Sequence, residues 1–432
     1  MIATAVIGIV VLLLLLFLGM NIGLAMTMVG FIGYAFVVKF TAALGVLQNV
    51  PATQASTYSL TVIPLFILMG NFAFASGMSE GLYNTGNKWL NRLPGGLACA
   101  TIAACAGFGA ICGSTNATAA TMGTIAIPEM RKYGYDDRLA TGSVSVGGTL
   151  GIIIPPSTPM IVYGIIAELS IGRLFVAGII PGIILAILLC VTVVVQVKLN
   201  PSLAKPGTRY SWAERFSSLK DLFWMAVLFI GVFYCMFSGI FTINEAASAG
   251  AFLAMVITAI KGRLNWNTFF SVMKDTVKTT AMTFLILIGA VIFGNFLAIT
   301  RLPMTLAGAI SAMDVSPYLV LFAIMLIYVV LGCFMDALPM MMLTVPIFLP
   351  IITGLGFDAI WFGVMIILVM QLGLITPPVG MNCYVISGIA KDVPLQTIFQ
   401  GSLPFVFAIL LALVICTAVP SLATYLPNVV YG

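Results

Sequence analysis

The 432-residue sequence has no histidine, and Asp, Glu, Lys and Arg together make up only 7% of it. Soluble domains carry about 25% charged residues, so a water-facing surface cannot be built from this composition. The eight cysteines, at 99, 105, 112, 190, 235, 333, 383 and 416, form no CxxC pair and have no histidine to complete a mixed site. A zinc centre is thereby excluded, and the cysteines read as buried free thiols. The formal charge of +5 is small and scattered, which excludes nucleic acid as a partner and leaves charge to report membrane orientation. No charge precedes Lys39, and the next is Glu80. The apolar start therefore lacks the basic region and cleavage site of a secretory signal, and reads as a retained first span.

Hydrophobic residues supply 61% of the chain. Apolar stretches of about 18 or more recur from end to end, the length needed to cross a bilayer as a helix. The expected fold class is an all-α polytopic membrane protein. The chain also repeats itself. FILMGNFAFASGM (66–78) matches AVIFGNFLAITRL (290–302) at an offset of 224, pairing Gly70, Asn71 and Phe72 with Gly294, Asn295 and Phe296. At an offset of 222, Pro128, Gly134 and Asp136 fall on Pro350, Gly356 and Asp358, and LGIIIPPSTP (150–159) falls on LGLITPPVGM (372–381). Gly178 and Pro181 fall on Gly401 and Pro404 at 223. Four matches in register mark a duplication.

Lys and Arg gather on the cytoplasmic side of membrane proteins. The loop at 129–138 carries Arg131, Lys132 and Arg138, whereas its counterpart at 351–359 has no basic residue. Equivalent loops are thus expected on opposite faces, making the repeats inverted in topology. The basic stretches 198–220 (Lys198, Lys205, Arg209, Arg215, Lys220) and 261–278 (Lys261, Arg263, Lys274, Lys278) read as cytoplasmic, joined by spans near 222–240 and 244–260. This count closes if 96–127 and 318–350 each enter the membrane and return on the same side, as re-entrant helical hairpins. Residues 78–96, with Trp89 between Lys88 and Arg92, read as an amphipathic interfacial arm. The organisation expected is N-terminal scaffold spans (1–57), repeat one (58–197), a connecting segment with two spans (198–278), repeat two (279–420) and a C-terminal tail (421–432), with both termini outside.

Broken helices within inverted repeats commonly place transport sites near the bilayer midplane. Pro155 and Pro156 in GGTLGIIIPPSTP, and Pro377 and Pro378 in LITPPVGMN, remove donors and interrupt a helix. The freed carbonyls require protein or a polar cavity as partner. Two readings stand: a kinked helix packed on its neighbours, or an ion or substrate site. The run CGSTNATAAT (112–121) is polar and uncharged, and Ser114 aligns with Asp336, the lone charge in LGCFMDALPMMMLTVPIFLPI (331–351). A carboxylate facing lipid is rarely tolerated, so Asp336 either faces a cleft where a cation offsets its charge or caps a hairpin helix, roles that can coexist. Arg301, in AITRLPM, is the sole basic residue between Lys278 and Lys391. It reads either as an interface anchor or as a fork of donors for a carboxylate. Glu129, Glu168 and Glu245 fall at segment ends as solvated groups, and Met340, Met341 and Met342 as packing.

GSTNATAATMGTIAIPEMRKYGYD, GIIIPPSTPMIVYG and GLITPPVGMNCYV together resemble the large membrane subunit of tripartite ATP-independent periplasmic (TRAP) transporters, over nearly the whole chain. The resemblance implies a bacterial inner-membrane, elevator-type protein of the ion transporter superfamily, which takes up an organic acid, sialic acid or a C4-dicarboxylate, driven by about two sodium ions. It implies a periplasmic substrate-binding protein and a small four-helix membrane subunit as partners, and no organic cofactor. Carried over by motif, one sodium site comprises Ser114, Asn116 and the backbone near Gly151. The second comprises Gly332, Asp336 and Ala337 with Thr376 and Gly380. Substrate contacts fall on Thr115, Pro156, Ser157, Asn382 and Asp336, with Arg301 in reserve. A stand-alone sodium and carboxylate carrier would share the repeats without the partners. A channel would need a filter or gate, and none is apparent. An intramembrane aspartyl protease would need a second core aspartate, whereas Asp314 and Asp358 both fall in predicted loops.

Overall fold

The computed structural model describes the chain except residues 206, 208, 209, 313, 314 and 432, and the side chains of 307 and 310–312. Arg209 and Asp314 thus lie outside the described residues. Those residues form helices joined by short turns, without a strand. Helices α1 (Ile2–Phe17), α2 (Ile22–Val37) and α3 (Phe40–Ser56) open the chain. The first two have 16 residues each, or about 24 Å at 1.5 Å per residue, somewhat short of a hydrocarbon core of about 30 Å. Next come α4 (Val62–Ala75) and α5 (Met78–Leu90). α5 falls on the stretch read as an interfacial arm: it buries Leu82 and Tyr83, and its Trp89 Nε1 donates to the Arg215 carbonyl at 3.2 Å.

The first unit continues through α6 (Gly96–Cys112), α7 (Thr115–Lys132), α8 (Asp137–Thr149), α9 (Thr158–Ile166) and α10 (Ile171–Leu199). After α11 (Trp212–Phe237) and α12 (Ile243–Ile260), α13 (Trp266–Thr300) and α14 (Leu302–Ala312) lead into a second unit. It comprises α15 (Pro317–Gly332), α16 (Ala337–Gly354), α17 (Ala359–Ile375), α18 (Met381–Ile389) and α19 (Leu395–Ala418), followed by α20 (Ser421–Tyr431). Adding 222 to the ends of α7 gives the ends of α16, and the start of α8 becomes that of α17. Both units are a helical hairpin, a helix broken at a proline pair and a long closing helix.

Seven helices among the described residues are long and apolar enough to cross a membrane. α13, at 35 residues, extends about 52 Å and outreaches the hydrocarbon. This places Lys274 and Lys278 in the first half of one continuous helix, so the expected boundary at 278/279 falls inside α13 and not at a loop. Likewise Ser211 caps α11 with Glu214 in a reciprocal capping box, which puts Arg215 and Lys220 on a helix. The C-terminal tail is also helical, with α20 packed on α10.

The units exchange partners. α9 of the first packs on α16 of the second, and α18 of the second packs on α7 of the first. Thr149 Oγ1 donates to Gln371 Oε1 at 2.8 Å, with both residues fully buried and 222 positions apart. α8 and α19 meet backbone to backbone: a Cβ on Gly401 would lie 2.0 Å from the Arg138 carbonyl oxygen, and one on Gly142 would lie 2.4 Å from Gly401. Small residues at helix crossings permit such approach in membranes. The eight cysteines are all free, and Met340, Met341 and Met342 are buried.

This contact sets opposite expectations for two glycines. Gly401→Ala should destabilise the protein by about 1–3 kcal/mol through overpacking. Gly388→Ala, which has open space around it, should stabilise it by about 0.5–1 kcal/mol through helix propensity. Thermal unfolding in detergent separates them: equal melting temperatures would contradict the proposed closeness of α8 and α19.

Candidate functional site

Each hairpin turns inside the protein. α6 ends at Gly113, whose φ of +62° is left-handed and suits glycine. A Cβ there would lie 2.9 Å from the Pro156 carbonyl oxygen and 3.3 Å from Thr158 N, so the tip rests on the break between α8 and α9. Ser114 caps α7, its Oγ accepting from Ala117 N at 3.4 Å, and its carbonyl accepts from Thr118 Oγ1 at 2.7 Å. Gly151 lies directly beneath: a Cβ on it would stand 3.0 Å from that same carbonyl oxygen. Ser114 and the Gly151 backbone are therefore brought together, whereas the Asn116 side chain, on the same tip, reaches Asp336 instead.

The second tip is built alike. Gly332 meets Gly373 backbone to backbone, as Gly109 meets Gly151 in the first unit, and Gly380 N donates to the Cys333 carbonyl at 3.4 Å. Asp336 caps α16, with Oδ1 accepting from Ala337 N at 2.8 Å. The capping reading thus holds. Its second oxygen accepts from Asn116 Nδ2 at 3.1 Å, joining the two tips. Asp336 has no ion pair among the described residues, and Asn116 Oδ1 is buried without a hydrogen-bond partner. A carboxylate and an unused amide oxygen side by side suit a hard, oxygen-seeking cation.

The tips open onto a cavity of about 480 Å³. Ser114, Thr115, Asn116, Asp336 and Ala337 line one side of it, and Ile67, Asn71, Thr279 and Thr283 from α4 and α13 line the other. Thr115, Thr158, Ala337 and Met381, the first residues of α7, α9, α16 and α18, all reach this cavity. Four helix N-termini converge, each leaving amide donors unsatisfied within its helix and a partial positive charge. Helix N-termini favour anions, and among the described residues lining this cavity Asp336 is the one carboxylate.

Several expected site residues stand elsewhere. Ser157 is fully buried, donating to the Ile152 carbonyl and accepting from Met160 N, so it serves as the cap of α9. Asn382 is fully buried with Nδ2 donating to the Ser145 carbonyl at 2.9 Å; its Oδ1 has no partner. Pro156 contributes its carbonyl side to the Gly113 contact and does not line the cavity. Thr376 faces a separate cavity with Pro377 and Phe399. Arg301 is exposed at the left-handed C-cap of α13, outside the central cavity. Conversely, Thr158, Asn71, Thr279 and Thr283 line the cavity without having been singled out as site residues. Asn71 offered a signal, an amide in an apolar span, and it donates to Thr276 Oγ1 at 2.9 Å.

Among known proteins, residues 9–422 match the family described as "Tripartite ATP-independent periplasmic transporter, DctM component". The chain is 34% identical to the C4-dicarboxylate TRAP transporter large permease protein DctM of Pseudomonas aeruginosa, over 86% of each chain. It is 32% identical to the sialic acid TRAP transporter large permease protein SiaM of Vibrio cholerae, over 97% of each. Its fold is similar to the YdaH transporter of Alcanivorax borkumensis, at TM-score 0.60 and 13% identity over 90% of this chain and 88% of that one. Its fold is likewise similar to MtrF of Neisseria gonorrhoeae, at TM-score 0.60 and 14% identity over 86% of this chain and 83% of that one. The duplicated hairpins, the broken helices and the near full-length match converge: the chain belongs to the DctM family, the large membrane component of TRAP transporters, and is a transport protein and not an enzyme.

Proposed function

We propose that this chain is the carrier through which an organic acid enters the cell, coupled to sodium, after delivery by a periplasmic binding protein. The observation that carries the reading is the cavity where one unpaired carboxylate and one unused amide oxygen stand beside four helix N-termini. Such a cavity offers oxygens to a cation and amide donors to a carboxylate, as co-transport of the two requires. Sodium at the hairpin tips would offset the charge of Asp336. Ser114, Asn116 and the Gly151 backbone form the first ion site of this reading, and Gly332, Asp336, Ala337 and Gly380 the second; Thr376, which faces the separate cavity, is left out of it. Thr115, Asn116 and Thr158 line the same cavity as Asp336 and are suited to hold the substrate's carboxylate.

The two units are read as inverted repeats. The exchange of α9 and α18 between units and the Thr149 to Gln371 contact support a two-fold relation. The basic loop at Arg131 and Lys132, set against an uncharged counterpart, supports opposite orientation and termini outside. In an elevator mechanism the body formed by hairpins and broken helices slides against a scaffold of α1 to α4 and α11 to α13. The small membrane subunit is assigned to that scaffold. Relatives act on sialic acid and on C4-dicarboxylates by name, and both are the cargoes to test. Those names favour the tripartite carrier over one that works without partners.

Asp336→Asn keeps shape and removes charge, so half-saturating sodium should rise on the order of 10–100-fold, from about 1.5–3 kcal/mol for a bond to a charged group. Ser114→Ala, if Ser114 ligates sodium, removes about 1 kcal/mol of one neutral contact and should raise half-saturating sodium roughly fivefold. Uptake matching wild type at every sodium concentration would remove Asp336 from the ion site. Arg301→Gln should leave the apparent substrate affinity within about twofold, because Arg301 lies outside the cavity; a loss approaching the 1.5–3 kcal/mol of a charged bond, about tenfold or more, would return it to substrate capture. Finally, proteoliposomes holding this chain and its small partner should take up labelled sialic acid or succinate only with both a sodium gradient and the binding protein. Uptake with sodium alone would refute the tripartite reading.

A further inference from the structure

At one end of α10, a pocket of about 720 Å³ gathers Arg92, Lys198 and Lys205, and no acidic side chain lines it among the described residues. None of the three takes part in an ion pair among the described residues. Like charges so placed repel one another unless an anion joins them. Gly95 lines the same pocket at the N-terminus of α6, adding a partial positive charge. The Arg92 guanidinium lies 6.0 Å from the centre of the Trp212 ring, and Arg215 faces that ring at 5.2 Å. Arg215 is only 5% exposed, with Nε and Nη2 unpartnered. Trp89 and Phe216 complete the aromatic cluster, of the kind that sits at headgroup level.

From this pocket an apolar stripe runs inward. Val195, Val191, Ile187 and Ile183 recur every fourth residue along α10, each about half exposed. Over 12 residues this stripe covers about 18 Å. It ends at a crevice of about 520 Å³ between α6, the Pro155 break, α10 and α11. Ile154, Ile183, Phe229 and Phe233 are among its walls, and every side chain lining it is apolar. A free inorganic anion would use the pocket and leave the stripe and crevice bare. A molecule with a phosphate at one end and a hydrocarbon chain at the other fills all three.

We propose that this seam binds one anionic phospholipid, its phosphate at Arg92, Lys198 and Lys205 and one acyl chain laid along α10 into the crevice. Basic pockets between membrane helices hold acidic headgroups in this way. The lipid bridges α11 and the hairpin of the first unit.

The test uses the chain purified alone and with its small membrane partner, in phosphatidylcholine nanodiscs doped with phosphatidylglycerol, with retained lipid counted by native mass spectrometry. One phosphatidylglycerol per chain is expected. The Arg92→Gln/Lys198→Gln/Lys205→Gln variant should lower its affinity on the order of 100-fold, since each Lys or Arg near an anionic surface contributes roughly fivefold. Ala226→Trp, which fills the crevice with all charges intact, should also lower retention. Equal retention in both variants would overturn the proposal. Displacement by inorganic phosphate would instead identify a free-anion site, and loss of the lipid whenever the small partner is present would identify that subunit as the occupant; either result also overturns it.

Discussion

Backbone polarity without water governs this structure. Each hairpin tip and each broken helix frees amides and carbonyls in surroundings that offer no solvent to satisfy them. The protein answers by bringing the freed ends together. Gly113 lies against the Pro156 carbonyl, Gly151 lies under the Ser114 carbonyl, and Gly380 N reaches the Cys333 carbonyl. Side chains larger than hydrogen at these contacts would hold the segments apart, and the cavity between the tips would lose its walls. The cavity therefore lies where the interruptions are satisfied, between the two hairpin tips.

Much of this was legible in the sequence. The prolines and the 222-residue offset marked both breaks, and Asp336 stood out because charge is scarce. Ser114 and Asp336 were paired by alignment, and the structure places Asp336 against Asn116, two residues beyond Ser114. What sequence could not carry was which way side chains turn. Ser157 and Asn382 have the composition of ligands, yet local caps and a neighbouring helix claim their donors. The convergence of four helix N-termini was hidden because it depends on tertiary packing, not on residue type. The helical character of residues 266–278 was masked by their charge, which resembles a loop until the length of α13 is known.

The two units are alike in path and unlike in chemistry. The first tip carries hydroxyls and an amide, and the second carries the carboxylate and apolar neighbours. Asn116 links them by donating to Asp336, leaving its oxygen free. The carboxylate of one tip thus stands against the neutral oxygens of the other. Two units of like path thus present tips of different character to one cavity.

The close contact of α8 with α19 also bears on how the chain is made. Gly142 meets Gly401, which follows it by 259 residues. At about 5–20 residues per second of synthesis, the first unit waits on the order of tens of seconds for the helix that covers it. Throughout that interval α8 and the exposed half of each exchanged contact have only lipid, the translocation machinery or other nascent helices to lean on. Assembly of this protein is thus paced by the ribosome as much as by the bilayer.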